Sequence, residues 1–379
     1  MINSLQLSKE LFNKYILNLI DENSDIKFAH NIDQNIYSLC FGIHSLFLVQ
    51  DKKTLNKYKQ IWIKKILYNL KNNQLNKNEK PFLQLLSLSI SSLIMLDSPK
   101  HQLICDLCIE VVTCNTEEYL DKIGVNIGKP GSGNLAMFLA IFYIYLENYY
   151  GYDFKSNLSK WKNYHDSNKN KYGLWGQKEN SKNLQYSTFQ NGYHQYEIYN
   201  FLNIEIKNKA NLVSSIISLS DKRGQFSPYP GGGGCYDYDA VYLLTMFSDN
   251  DSYKTMNILD KTFNSIIKNQ NKDGGFGESA YIRPLSFKNL LIQFFHISIL
   301  KPNGLYERIN RFVALLRPKH NLIKTHWSQK KRSWNESNIF NSWFRMMTLA
   351  RIDIYRDKSN KNNWGFMSFP GIGFHEKKS

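Results

Sequence analysis

Nothing in this chain of 379 residues is long and apolar enough to span a bilayer by itself. A run such as Leu135 to Leu146 counts twelve residues, against the ~20 that a spanning helix needs. Met1 to Glu10 has neither a basic segment nor an apolar one, which predicts no secretory signal. The five cysteines are an odd number; they argue against a disulfide framework and fit a reducing cytoplasm. No Pro/Gly/Ser-rich linker divides the chain, so a single domain over residues 1–379 is expected. Acidic residues are few, 32 against 48 Lys and Arg, which leaves a net charge of +16.

That excess is spread thinly. It sits as Lys and Asn in polar stretches such as Lys71-Asn72-Asn73 and Asn168-Lys169-Asn170-Lys171, and its tightest cluster is the short Lys330-Lys331-Arg332. No recognition fold accompanies it, so no nucleic-acid partner is expected. Loose attraction to an anionic membrane or a pyrophosphate suits it better. The expected location is cytoplasmic, with peripheral attachment to a membrane compatible with it.

What the chain does have is a repeat. Gln270-Asn271-Lys272-Asp273-Gly274-Gly275-Phe276-Gly277 has cruder copies in Tyr172-Gly173-Leu174-Trp175-Gly176 and Arg223-Gly224-Gln225-Phe226. The aromatics Trp175, Phe226 and Phe276 lie 51 and 50 residues apart. A period of that length marks stacked supersecondary units that bury their faces on their neighbours.

Apolar stretches of helical character begin near Ile36, Phe82, Asn134, His194, Tyr238, Phe287 and Asn341. Between them, Leu11 to Ile20, Leu55 to Leu70, Leu103 to Leu120, Leu212 to Leu219 and Ile258 to Ile267 carry apolar residues at three- and four-residue spacing. One apolar helix and one amphipathic helix per repeat predict inner and outer layers. Strands are scarce. Six to seven such hairpins would close into an all-α, double-layered α/α toroid, and the apolar end segments Ile36 to Val49 and Phe340 to Ile354 favour closure over an open solenoid. Trp364-Gly365-Phe366 and the segment from Phe369 to His375 repeat the Gly-aromatic theme and are expected to pack the chain end onto the first hairpin.

Aromatics make up 14% of the chain. Much of this is core. Those near the hairpin turns, among them Tyr193, Tyr236 and Trp343, are candidates to line a cavity and contact a substrate. Their π faces suit a cation or polyene, and equally a sugar ring.

These segments resemble the terpenoid cyclase and protein prenyltransferase superfamily of α/α toroids, with a squalene-hopene-cyclase-like repeat. Its signature is Gln-x-x-Asp-Gly-(Gly/Ser)-(Phe/Trp)-Gly, and Gln270, Asp273, Gly274, Gly275, Phe276 and Gly277 fill every position. The clear likeness covers roughly residues 165–300. In that superfamily the signature is structural and implies no chemistry by itself.

Gly231-Gly232-Gly233-Gly234-Cys235-Tyr236-Asp237-Tyr238-Asp239-Ala240 is similar to the Asp-x-Asp-Asp motif of class II terpene cyclases. By that resemblance Asp239 is the acid that protonates an alkene or epoxide, and Asp237 supports it. Ala240 stands where the fourth position would be Asp. Both Asp residues can also be read as charges at a helix N-terminus. Protein prenyltransferases bind zinc through an Asp-x-Cys-Tyr element and a distant His; here the order is Cys235-Tyr236-Asp237, with His194 or His296 as further donors. Neither a metal nor another cofactor is expected. Cys105, Cys108 and Cys114 read as ordinary buried cysteines.

His194, at the start of an apolar helix, is a third catalytic candidate, as base or hydrogen-bonded cap. Arg345, inside an apolar helix, requires a partner; Asp239, Glu278 or an anionic group of the substrate are the expected ones. Lys129 to Asn134 reads as a turn and cap, not a phosphate loop.

Three functions stay open. The first is an enzyme acting on an isoprenoid-type, small-molecule or lipid-linked substrate in a central cavity, with Asp239 as acid. The second is a glycan-processing barrel that uses Asp237 or Asp239 with Glu278, two carboxyls about 5 to 9.5 Å apart across the substrate. The third is a non-catalytic helical binding module.

Overall fold

The computed structural model describes residues 2–176, 185–248, 252–297 and 303–371. Phe374 and His375 of the C-terminal Gly-aromatic segment lie outside them. The helices are α1 Ile2–Leu19, α2 Ile36–Leu48, α3 Lys52–Asn72, α4 Lys80–Met95, α5 Gln102–Val112, α6 Thr116–Ile123, α7 Ser132–Tyr150 and α8 Lys155–Ser167. They continue with α9 Gln185–Phe201, α10 Lys209–Leu219, α11 Gly234–Phe247, α12 Tyr253–Lys268, α13 Phe287–His296, α14 Leu305–Leu315 and α15 Ile339–Arg356. A short antiparallel ribbon, β1 Lys27–Ala29 with β2 Ile32–Gln34, precedes α2. The fold is all-α apart from this ribbon and isolated bridges among the described residues.

The residues form two compact units. One holds residues up to Asp51, Tyr186, and Lys209–Gly365. At its centre is α15, whose residues from Ile339 to Ala350 are all buried; α11, α2, α12 and α1 pack on it. The other holds Lys52–Ser181, Ser187–Asn208 and the chain end from Phe366. There α7 is the centre, buried from Ala136 to Leu146, with α4, α5, α6 and α8 around it. Helices α2, α4, α7, α11 and α15 are buried on most sides, whereas α3, α8 and α12 bury a single stripe.

The repeat is a backbone turn with four copies among the described residues. In each, the N–H of residue i donates to the carbonyl of i+4, and the N–H of i+3 returns to the carbonyl of i. The turns start at Asp21, Asn170, Asp221 and Asn271, with bonds of 2.8 to 3.1 Å. In the first three, the side chain of residue i also accepts from the N–H groups of i+2 and i+4. Position i+3 is left-handed throughout: Ser24 at φ 61°, Gly173 and Gly224 at 75°, Gly274 at 92°. Position i+5 is a buried apolar residue, namely Ile26, Trp175, Phe226 and Phe276. The Asp21 copy has no glycine, which hides it from the Gly-aromatic pattern.

These turns are clamped by the inner helices. Ser38 Oγ of α2 donates to the Ile26 carbonyl at 2.6 Å. The Phe226 N–H donates to Asp237 of α11 at 2.8 Å, and the Phe276 N–H to Ser342 of α15 at 2.8 Å. The helix that serves the Phe276 turn is therefore α15. α13, expected as an inner helix from Phe287, buries only Asn289 and Gln293. The stretch expected as one helix from Leu103 to Leu120 is two. Asn115 breaks it and caps α6 by accepting from the Glu117 and Glu118 N–H groups.

The chain end reaches the first hairpin through Trp364 and Gly365. The Gly365 N–H donates to the Leu48 carbonyl at 2.9 Å, and Lys9 Nζ lies 4.5 Å from the Trp364 ring. In the second unit, Phe369 packs against Tyr149 and Phe201.

Candidate active site

In the glycine run, Gly231 and Gly233 both have φ of 67°, a region that side chains avoid. A Cβ on Gly234 would stand 3.0 Å from Phe344 Cβ, so this glycine lets α11 approach α15 closely. The run folds over the rings of Tyr229 and Tyr281. Its role here is packing, and it delivers Cys235, Asp237 and Asp239 into the first turns of α11.

Asp237 is fully buried and holds two partners. Oδ1 accepts the Phe226 N–H, and Oδ2 pairs with Arg345 Nη1. The other arm of Arg345 donates to the Gly231 carbonyl at 3.2 Å and to the Glu278 carbonyl at 3.5 Å. Arg345 thus meets Asp237 in place of the expected carboxylates, because α15 lies directly against α11 at that turn. Burial pushes the Asp237 carboxyl up to about 6, against the opposing pull of the Arg345 guanidinium and the Phe226 N–H. Asp237 takes the place at the Phe226 turn that Ser342 takes at the Phe276 turn.

Asp239 is 2% exposed. It lies one helical turn beyond Cys235, on the same face of α11. Burial first, then the charges of Asp239 and Glu278, push the Cys235 thiol up, which keeps it protonated. Cys235 itself is half-buried.

Glu278 follows the Phe276 turn. It accepts from the Tyr229 hydroxyl at 2.5 Å and from Asn341 Nδ2 at 3.0 Å, and Arg332 Nη2 stands 3.9 Å away. The Asn341 amide also accepts the Gly234 N–H at 3.3 Å, tying Glu278 to the start of α11. Around this group Tyr229 packs on Ile282, Leu315 and Trp334, with Tyr236 and Ile323 against them. Tyr236 meets Tyr229 and Tyr186 edge to face at 6.2 and 6.4 Å. Arg311 lies 5.1 Å from the Tyr229 ring. Arg332 is buried, so Lys330-Lys331-Arg332 is not a continuous basic patch; Lys330 pairs with Asp33.

Sequence reading did not single out Asn341, and it placed Arg332 in a surface cluster. The signal for both was weak: Asn341 lies in an apolar helix, and Arg332 in a polar stretch. Trp343 is wholly buried, packed on Phe41, His44 and Phe344.

Tyr193 and His194 lie in the second unit, on α9. The Tyr193 hydroxyl donates to Glu197 Oε2 at 2.9 Å, and the Gly371 N–H donates to Glu197 Oε1 at 2.9 Å. Lys80 has only protons to give and donates to Asn134 Oδ1 at 2.8 Å. Asn134 Nδ2 must then donate to His194 Nε2, at 2.7 Å, which leaves the ring proton on Nδ1. Burial, with a smaller push from Lys80, lowers the His194 ring to about 3, so the imidazole is neutral.

No group of three His, Cys, Asp or Glu side chains is placed to hold a metal ion among the described residues. Cys235 and Asp237 do not form one, since Asp237 is bound to Arg345 and Phe226. A cleft of about 600 Å³ opens elsewhere, beside α10 and α12, lined by Asp221, Lys222, Lys254, Asn257 and Lys261 among others. None of the candidate residues lines it.

No family model matches the chain, and no curated protein matches it. In structure it is similar to the apo form of MstE, a type II terpene cyclase from Scytonema. The TM-score is 0.53 at 11% identity, over 94% of this chain and 99% of that one. At that identity the likeness shows the fold, which is all-α and terpenoid-cyclase-like.

Proposed function

We propose that this chain is a terpenoid-cyclase-like enzyme that protonates an isoprenoid-type substrate, with Asp239 as the acid. The observation that carries the reading is the placement of Asp239: its carboxyl is buried on α11, one helical turn beyond the half-buried Cys235, while Asp237 of the same motif holds the Phe226 turn and Arg345. A proton moves from the Asp239 carboxyl to an alkene or epoxide terminus. Ring closure then places positive charge on carbon, and loss of a proton restores neutrality, so an olefinic product is an isomer of its substrate. Solvent reprotonates Asp239. The step needs the acid in its neutral form.

Tyr236, half-buried beside Cys235, is the aromatic face proposed to stabilise the cation. Arg345 positions α11 and does not touch the substrate. His194, its acceptor nitrogen engaged by Asn134, has no part in the proposed step. The fold likeness to a type II terpene cyclase supports this reading by analogy.

One observation favours a second reading. The charges of Asp239 and Glu278 both act on the half-buried Cys235, so two carboxyls lie near one position, and a glycan-processing enzyme needs such a pair. Incubation with linear polyprenes and, separately, with oligosaccharides distinguishes the two. Cyclised isomers lost in Asp239→Asn support the first, and chain cleavage lost in both Asp239→Asn and Glu278→Gln supports the second.

A further inference from the structure

Helix α13 is built inside out. Ser286 caps it by accepting the Asn289 N–H, and the side chains it buries are Asn289 and Gln293. These donate to the Pro284 carbonyl at 2.9 Å and the Tyr281 carbonyl at 3.1 Å, so its polar face is turned to the protein. Its outward face carries Phe287, Phe294 and Phe295, exposed by 79, 65 and 66%, with Leu291 between them. Residues 287, 291, 294 and 295 share one side of a helix. α14 packs beside α13 and repeats the arrangement. Arg308 and Leu315 are buried, while Tyr306, Ile309, Val313 and Leu316 are exposed along one face. Leu285 and Leu322 add to the exposed set. A helix packed on a protein core in water shows the opposite pattern.

The charge around this surface has one sign. From Arg283 to Lys324 the chain contains a single acid, Glu307, whose carboxylate takes the Tyr186 N–H at 2.7 Å. Lys288, Arg317, Lys319 and Lys324 are exposed in the same stretch. Exposed apolar side chains among cations match the interfacial zone of a bilayer with anionic headgroups. A second copy fits poorly, because a two-fold contact would set these cations against their own equivalents. No helix among the described residues is long and apolar enough to cross a membrane, so contact through α13 and α14 would be peripheral.

We propose that the exposed faces of α13 and α14 form a docking surface for anionic lipid bilayers. The inference does not depend on the role of Asp239. Flotation of the purified chain with phosphatidylcholine vesicles, with and without phosphatidylserine, tests it. Binding should require phosphatidylserine and weaken with salt. Phe294→Ser with Phe295→Ser should weaken it about tenfold or more, with thermal stability unchanged or raised, because both rings are exposed. Arg317→Glu with Lys319→Glu should also reduce it. Absence of flotation, or flotation that neither double variant changes, overturns the proposal. So does a dimer or an acidic-protein complex that the Phe294/Phe295 variant abolishes while vesicles are not bound.

Discussion

Arg345 on α15 and Asp237 on α11 form an ion pair with both side chains buried, at the point where α11 starts and the Phe226 turn ends. The pair joins two inner helices to a repeat turn. Removing one partner leaves a buried charge alone, which costs about 3–5 kcal/mol, whereas removing both together costs less. Asp237→Asn and Arg345→Met should each destabilise by that order in urea titrations, and the double variant should recover part of the loss. Additive losses would show that the two residues act separately.

Ser24 and Gly224 occupy the same left-handed place in two copies of the turn. At Gly224 a Cβ would stand 2.7 Å from the Thr262 nitrogen and 2.8 Å from the Ile258 carbonyl, both backbone atoms. Gly224→Ala should therefore destabilise by about 2 kcal/mol or more, through clash and backbone strain. Ser24→Gly should be neutral or stabilising by about 0.5 kcal/mol, since the strain it relieves offsets the freedom it adds to the unfolded chain. Thermal melts of the two variants check the contrast.

Acid should destabilise the fold through its histidines. Burial lowers His165 and His194 to about 3, against 6.5 when unfolded. Between those values the unfolded state binds more protons, so stability is fully present above pH 6.5 and falls as pH drops toward 3. Each group contributes about 1.4 kcal/mol per pH unit in that window. Asp237, raised by burial, works the other way from about pH 4 to 6, but as one group against three, since burial also lowers His296 to about 4. His165→Phe should reduce the slope by about one proton. An unchanged slope would mean that His165 is not neutral when folded.

The repeat and most inner helices were legible because glycine spacing and all-round apolarity leave direct marks in sequence. The Asp21 turn was not, since Ser24 adopts a conformation usually left to glycine and the bonds that define the turn are backbone bonds. α13 misled by composition: Phe287, Leu291, Phe294 and Phe295 have the helical spacing of a buried stripe, and only the structure shows which side faces water. The α5–α6 break was visible in principle, as Asn115 stands before Thr116-Glu117-Glu118, a capping pattern. Around the candidate site, the Asp pair could be read, but the capture of Asp237 by the Phe226 turn could not: it is a contact between residues eleven apart that no local pattern encodes.

If Asp239 delivers a proton to an isoprenoid-type substrate, a solvent-derived hydrogen must enter the product. The direct measurement is mass spectrometry of products formed from linear polyprenes and their terminal epoxides in D2O, for the unaltered chain and for Asp239→Asn. Cyclic products carrying solvent deuterium are expected from the unaltered chain and none from Asp239→Asn, whose melting temperature stays within about 3 °C. Labelled cyclic product from Asp239→Asn at an undiminished rate, or no cyclised product from the unaltered chain with any polyprene, would contradict that role for Asp239.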